Sequence, residues 1–366
     1  MGRDLLATMR DWTRTLLLVT AGLTIVSILL RHQIAAAVGV KKWDWAAAAG
    51  IPAGCMYLWV SLLRGALQGV GKYKAVGISL VGEQAVRLVL GAILAVGLGV
   101  TGAYLGSFLS YVAMSAYCWL QLRIYAHGPE TVQRSKVGEA ALGLWVHVKR
   151  AWAPIAGLVV IAVLQNIDLI AAKHQFDSAT ASSYAATAVA AKVLIWVAIG
   201  AGFYLVPEVS RRRADGEETR PVLFAALAII GVCAVPCLLI FAVAGHQLLT
   251  IAFSAKRATA SDALLVLGAA FTVLSATYLA IQYMLALKRT WFLIVMGAVA
   301  IAEPILLLQA SREPAGFAAV VLAVQGVGAV LAFAFALRKD SGARAPKVTP
   351  SPPSRSAEDT RLAEPA

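Results

Sequence analysis

Two oppositely charged residues stand inside one long apolar run, at a spacing that brings them together. Glu83 and Arg87 are four residues apart, so on a helix they share a face and can form an ion pair. Each charge costs roughly 2.5 to 3.5 kcal/mol at the centre of a bilayer, and such residues normally face a bundle interior or a wet cavity. A structural ion pair that fixes helix packing is the alternative. The planar guanidinium of Arg87 could also bind a phosphate.

A lysine occupies the middle of another apolar run. Lys192 lies too deep for its ammonium group to reach water easily at either end of the run. Tyr184, Ala188 and Trp196 lie at four-residue steps from it, which predicts an aromatic and small-residue wall suited to a sugar or a lipid head group. An ion pair with Asp168 or another acid, for structure alone, is the alternative.

Two further acids interrupt apolar runs. Asp168 ends the polar stretch Gln165-Asn166-Ile167-Asp168, which predicts either a cavity wall or an outer interface within reach of water. Glu303 precedes Pro304, whose missing backbone donor can bend a helix.

The composition identifies lipid as the solvent of this chain. Hydrophobic residues make up 60% of the 366 residues, charged residues only 14%, and the mean hydropathy is +0.77. A net charge of +13 could indicate a nucleic-acid partner, but the basic residues lie in short clusters between apolar runs. We therefore expect membrane lipids as partners and no nucleic acid.

No soluble segment of the sequence is large enough to hold an active site. Catalytic triads, metal-ligand spacings and phosphate-cradling glycine loops are not found in such segments. All four cysteines lie in apolar runs, where packing is their expected role. We expect the protein not to be an enzyme and to need no metal and no cofactor.

Ten apolar runs are near the ~20 residues needed to cross a bilayer. Short connections between several of them predict tight antiparallel helical hairpins. The predicted fold class is therefore all-α, a polytopic transmembrane helix bundle of about ten spans. The runs cover residues 16–38, 45–63, 76–98, 101–122, 151–172, 182–206, 222–244, 263–285, 291–309 and 315–337.

The basic residues predict an orientation and a division of the chain. With both termini in the cytoplasm, 23 of the 32 Lys and Arg residues lie on the cytoplasmic side. We expect residues 1–125 to form an N-terminal lobe of four spans and 126–150 a cytoplasmic linker. Residues 151–337 would form a C-terminal lobe of six spans, and 338–366 a disordered cytoplasmic tail.

Several motifs, taken in order, resemble the polysaccharide flippases of the multidrug/oligosaccharidyl-lipid/polysaccharide exporter superfamily. The resemblance covers residues 5–337. In the first half it rests on Arg64-Gly65-Ala66-Leu67-Gln68-Gly69, on Lys72-Tyr73-Lys74, and on Glu83 with Arg87. In the second half it rests on Gln165-Asn166-Ile167-Asp168, Tyr184-Ala185-Ala186 and Val206-Pro207-Glu208-Val209-Ser210.

The resemblance implies a two-lobed exporter-like fold. It implies a transporter that moves a polyprenyl-pyrophosphate-linked oligosaccharide, a polysaccharide precursor, across a bacterial plasma membrane by alternating access between the lobes. Polysaccharide-assembly proteins are implied as partners. Family members have twelve or more spans, and this sequence begins at the position of their third, so we expect an incomplete first lobe.

The same resemblance suggests roles for the charged residues within the spans. Arg87, Lys192 and Tyr184 are expected to bind the substrate, the two bases attracting its pyrophosphate. Three acids are expected to couple ions or to set the charge of a cavity: Glu83, Asp168 and Glu303.

Other functions remain open. The alternatives are a drug/cation antiporter of the same superfamily and a non-transporting membrane scaffold for polysaccharide assembly. A membrane glycosyltransferase is disfavoured because the predicted outer loops are short.

Overall fold

The structure, a computed structural model, describes residues 2–39, 44–127, 149 and 151–338. Within these ranges it is almost wholly helical and contains no strand. A helix satisfies its own backbone N–H and C=O groups, which lipid cannot do. The predicted all-α helical bundle is therefore confirmed. The predicted tail beyond Arg338, and the predicted linker apart from its ends, lie outside the described residues.

Eleven α-helices can be bounded in the described ranges. They are α1 Gly2–Leu29, α2 Arg31–Val38, α3 Asp44–Gly69, α4 Tyr73–His127, α5 Trp152–Gln175, α6 Ser178–Ala191, α7 Val193–Ala214, α8 Arg220–Phe253, α9 Leu264–Ala286, α10 Phe292–Leu307 and α11 Pro314–Ala336.

The helices match the predicted spans in number. Among the described residues, eight helical segments are long and apolar enough to cross a membrane, and α10 is a shorter apolar helix. Helices α6 and α7 together make one of the eight, and α4 doubles back to make two arms. The chain is a multi-pass membrane protein whose ten apolar helical segments correspond to the ten predicted runs.

The helix α4 is a hairpin, as the short connection in the sequence predicts. Gly99 has φ 57° and ψ −137°, a backbone conformation that favours glycine, and the chain reverses there. The two arms touch along their backbones, because a Cβ atom added at Gly106 would lie 2.4 Å from the Cα of Gly91. A Cβ atom at Gly102 would lie 2.1 Å from the carbonyl oxygen of Leu94.

The first predicted span, 16–38, has the wrong bounds. The helix α1 already begins at Gly2 and ends at Leu29, and α2 follows as a separate helix after a break at Leu30. Hydropathy marks only the apolar part of a helix, so the charged turns before residue 16 were excluded although the backbone is helical there.

The start of α6 is explained by a side-chain cap. Asp177 Oδ2 accepts hydrogen bonds from the backbone N–H groups of Ala179 at 3.0 Å and Thr180 at 3.4 Å. The Thr180 hydroxyl and these backbone donors hold the pKa of Asp177 below its usual range. The carboxylate therefore stays ionised and satisfies donors that have no partner inside the helix.

The chain divides into two compact units. Unit 1 comprises residues 1–185 with 307–312, and unit 2 comprises residues 186–306 with 313–366. In unit 1, α3 packs against α1, α2 and α4. In unit 2, α9 is the central helix and packs against α7, α8 and α11. The lobes 1–125 and 151–337 stay a prediction.

Candidate functional site

A buried polar cluster joins α3 to the first arm of α4 in unit 1. The Arg64 guanidinium donates from Nε to Ser79 Oγ at 2.7 Å and from Nη2 to the Ser79 carbonyl at 2.9 Å. Its Nη2 atom also lies 2.8 Å from Glu83 Oε2. Arg64 is 5% exposed and Glu83 3%. The partner of the Glu83 carboxylate is therefore Arg64, one helix away.

The ion pair expected between Glu83 and Arg87 is not the one that forms. Arg64 reaches Glu83 from a neighbouring helix and also bonds Ser79, one turn before Glu83. The side chain of Arg64 is buried. Sequence spacing alone could not identify it, since 19 positions separate the two residues.

Glu83 makes only part of its possible hydrogen bonds. Its Oε1 accepts from Gln84 Nε2 at 3.2 Å. Its Oε2 forms an ion pair with Arg64, but it accepts no hydrogen bond of good geometry from any described residue. A further hydrogen bond to this buried carboxylate oxygen would therefore be stabilising.

Arg87 and two tyrosines lie beside this cluster. Arg87 is exposed on the first arm of α4, one helical turn after Glu83. The rings of Tyr57 and Tyr111 meet edge to face, with centroids 5.4 Å apart. Tyr57 is 45% exposed. The packed helices α3 and α4 thus carry both an exposed guanidinium and an aromatic pair that a sugar or a lipid head group could contact.

The charges of this site sum to a positive value. Arg64 balances Glu83, and Arg87 makes no ion pair with any residue that the structure describes. Guanidinium groups bind phosphate in a bidentate manner, with charge and geometry both contributing. The site is therefore suited to an anion rather than a cation.

The predicted residues Asp168 and Tyr184 lie together in unit 1. Both are 0% exposed, and the Tyr184 hydroxyl donates to Asp168 Oδ2 at 3.4 Å. The Tyr184 ring packs edge to face on Phe176, with centroids 5.8 Å apart. Asp168 is thus a buried acid with a tyrosine partner, and its place in a cavity wall or at the outer interface stays a prediction.

Lys192 lies in unit 2 at the break between α6 and α7. It is 7% exposed, and its Nζ lies 5.1 Å from the centroid of the Phe271 ring, at the distance of a cation–π contact. Trp196 is 63% exposed. The aromatic ring in contact with the lysine is Phe271 on α9, and the predicted wall of Tyr184, Ala188 and Trp196 stays a prediction.

Glu303 has a partner that the sequence did not indicate. It is 0% exposed on α10, and both carboxylate oxygens accept from Gln325 Nε2 of α11, at 3.1 and 3.2 Å. Gln325 is 1% exposed. The only signal for Gln325 was an amide side chain within an otherwise apolar run.

Within each unit, the predicted site residues have these contacts. In unit 1, Glu83 and Arg87 belong to the cluster on α3 and α4, and Asp168 pairs with Tyr184. In unit 2, Lys192 packs on Phe271, and Glu303 binds Gln325.

Three solved structures share the fold of this chain. A lipid II flippase, MurJ, in an inward closed conformation has a TM-score of 0.64 and 12% identity, covering 91% of this chain and 72% of that protein. An inward-facing multidrug resistance MATE family transporter of the MOP superfamily has a TM-score of 0.62 and 13% identity, covering 88% and 78%. A MOP superfamily transporter from Pyrococcus furiosus has a TM-score of 0.55 and 14% identity, covering 92% and 78%.

Identities of 12 to 14% establish the fold alone. No protein-family model matches the chain, and no curated protein matches its sequence. The predicted exporter-like architecture is confirmed: the chain has the fold of MOP superfamily transporters.

Proposed function

We propose that this chain is a transporter that moves a polyprenyl-pyrophosphate-linked oligosaccharide across a bacterial plasma membrane by alternating access, with both termini cytoplasmic. The observation that carries the proposal is an exposed arginine on an apolar helix, beside an acid that is already neutralised. Arg64 balances Glu83, so the positive charge of Arg87 remains for a ligand. A pyrophosphate is the anion that such a lipid-linked saccharide would present.

The aromatic surroundings of Arg87 support a saccharide or a lipid head group as the rest of the ligand. Tyr57 and Tyr111 form an edge-to-face ring pair between α3 and α4, the helix that carries Arg87, and offer ring faces and hydroxyl groups there. Lys192, on the face of Phe271, is proposed as a second cation for the pyrophosphate, and Tyr184 as a substrate contact.

The buried acids are proposed to couple ions or to set cavity charge. Asp168 and Glu303 are both fully buried, and each accepts a hydrogen bond from a side chain of a neighbouring helix. Glu83 would act through Arg64, since protonation of the acid would release a second guanidinium charge near Arg87.

The fold gives further support. One structure with this fold is a lipid II flippase, and two others are transporters. Without a protein, the head group of a large amphiphilic substrate crosses the bilayer centre only at a high cost in free energy. Helices that exchange between two packings can provide a path for it.

A drug/cation antiporter is the second candidate, since a multidrug resistance transporter also shares the fold. It would need an acid able to receive a cation. Glu83 is occupied by Arg64, which argues against that acid as a cation site. A scaffold for polysaccharide-assembly proteins is the candidate outside transport.

The test is translocation by Arg87 variants in proteoliposomes loaded with a fluorescent polyprenyl-pyrophosphate oligosaccharide. We expect Arg87→Ala to slow translocation by about tenfold or more, because one charge-assisted phosphate contact is lost. Arg87→Lys should recover part of the rate, since it keeps the charge but not the planar fork. Lys74→Ala is the matched control, an exposed base near the start of the same helix.

Three results would contradict the proposal in different ways. Normal translocation by Arg87→Ala would remove the arginine from the mechanism. Cation-dependent efflux of a cationic dye by the unaltered protein, without saccharide translocation, would favour the antiporter. Neither activity in correctly folded protein would favour the scaffold.

A further inference from the structure

Unit 2 carries a cleft of about 180 Å³ that none of the site residues discussed above lines. It forms where α8 begins and where α9 and α11 end. Three arginines line it: Arg220, Arg289 and Arg338. Because it opens at helix ends, it lies where a membrane helix meets the head groups of the lipid.

The first two arginines are held in place by the end of α11. Arg220 Nη2 donates to the carbonyl of Leu337 at 2.9 Å. Arg289 donates from Nη1 to the carbonyls of Phe335 and Ala336 at 3.1 and 3.2 Å, and from Nη2 to the carbonyl of Arg338 at 3.0 Å. Such bonds satisfy carbonyls that have no partner inside the helix. They also fix the guanidinium groups before any ligand arrives.

These bonds do not use all the donors. A guanidinium has five N–H donors, and Arg220 directs one of them at Leu337. The side chain of Arg338 takes no part in the bonds at the end of α11, because it is the carbonyl of Arg338 that accepts from Arg289. Arg220 and Arg338 therefore keep donors that can point into the cleft.

The rest of the lining is polar and partly fixed. The hydroxyl groups of Thr219 and Tyr283 lie 2.7 Å apart, and Tyr283 is only 2% exposed. Glu217 and Glu218 also line the cleft. Glu217 lies 4.0 Å from Arg212, which offsets part of its charge. Three arginines against two acids leave the cleft with a positive charge.

We propose that this cleft binds the phosphate group of an anionic phospholipid from the adjacent leaflet. Pre-positioned guanidinium groups, with hydroxyl groups beside them, form a typical recognition site for phosphate oxygens. Basic pockets between helix ends at a membrane surface are suited to lipid head groups for the same reason. The bound lipid would bridge α8, α9 and α11 and stabilise unit 2. This site does not depend on the transported substrate.

The test is a titration of the full-length protein in non-ionic detergent, with the midpoint of thermal unfolding as the measurement. The probes are dioctanoyl phosphatidic acid, dioctanoyl phosphatidylcholine and inorganic phosphate. A ligand that binds the folded state raises the unfolding temperature by mass action. We expect phosphatidic acid to raise it and phosphatidylcholine not to. A rise with inorganic phosphate alone would overturn the assignment to a lipid.

Two variants and a matched control test the site itself. Arg220→Gln and Arg338→Gln should each weaken phosphatidic acid binding by about tenfold, because a charge-assisted contact is lost. Arg338→Gln leaves the backbone bonds at the end of α11 intact, so it reports on binding even if Arg220→Gln is unstable. Lys288→Gln removes an exposed positive charge next to Arg289 but does not line the cleft.

Equal binding by both arginine variants and by the unaltered protein would overturn the proposal. An equal loss in Lys288→Gln would also overturn it, because the effect would then come from overall surface charge. Loss in the arginine variants alone supports it.

Discussion

The contact between Arg64 and Glu83 determines what a single substitution in this cluster will do. Burying an ion pair costs desolvation energy for both partners, and their attraction returns it only while both are present. Arg64 is 5% exposed and also holds Ser79. Removal of the arginine would leave a buried carboxylate with neither a counter-charge nor a strong donor.

We expect Arg64→Met to lower the free energy of unfolding by about 3 kcal/mol, because it leaves Glu83 uncompensated. The double variant Arg64→Met with Glu83→Gln should be more stable than Arg64→Met alone, since the glutamine carries no charge. The measurement is unfolding by titration of a denaturing detergent into the protein in mild detergent. The single variant Glu83→Gln completes the thermodynamic cycle.

Additive effects of the two substitutions would contradict the contact between these side chains. A coupling free energy of about 1 kcal/mol or more, of the sign that restores stability in the double variant, is expected for residues in direct contact.

At the residue scale, the sequence predicted which side chains are unusual but not which ones meet. Glu83, Asp168, Lys192 and Glu303 stand out because charges in apolar runs are costly, and all four are buried. Their partners lie on other helices and include an uncharged amide, Gln325. Helical spacing relates residues within one helix, whereas the choice of partner depends on how the helices pack.

At the element scale, the α4 hairpin depends on three glycines in the backbone contact between its arms. Gly91 and Gly106 face each other, and Gly102 lies against the carbonyl of Leu94. Close contact of backbones is a common way to pack helices in lipid, where no hydrophobic force draws them together. The two apolar runs, 76–98 and 101–122, predicted the two arms. The small residues near the turn let the arms lie close together, which explains why the chain can reverse at Gly99 alone.

We expect Gly106→Ala to destabilise the hairpin by about 1 to 3 kcal/mol, because the new methyl group would lie 2.4 Å from Gly91. Gly97→Ala is the matched control on the same helix, where an added Cβ has no neighbour within 4 Å. The control should be neutral or slightly stabilising, since alanine favours a helix more than glycine. The measurement is the same detergent titration, and equal effects at both positions would disprove the close approach.

Two breaks show why the ends of helices were harder to predict than their existence. Leu30 separates α1 from α2, and Lys192 separates α6 from α7, yet neither is a glycine or a proline. Leu30 has φ −96° and ψ 16°, outside the helical region, whereas Lys192 stays close to it with φ −70° and ψ −4°. Local sequence gives no stop signal there, so the breaks depend on packing.

At the scale of the whole molecule, the excess of basic residues on one side predicts the orientation in the membrane. The arginines of unit 2 illustrate it: Arg213 donates to the carbonyl of Leu287 and Arg220 to that of Leu337. The end of α7, the start of α8 and the ends of α9 and α11 therefore lie at one face of unit 2. These helix ends carry many of the basic residues assigned to the cytoplasm.

The orientation can be tested at the two ends of α8. The part of this helix before its kink at Ala244 has 24 residues (220–243), which is about 36 Å of helix and enough to cross the ~30 Å hydrocarbon core. Asp215 and Lys256 lie just beyond its ends, and both are exposed. In a variant whose four native cysteines are replaced by alanine, we expect Lys256→Cys to react with a membrane-impermeant maleimide on intact spheroplasts. Asp215→Cys should react only after permeabilisation, and the reverse pattern would place both termini outside the cytoplasm.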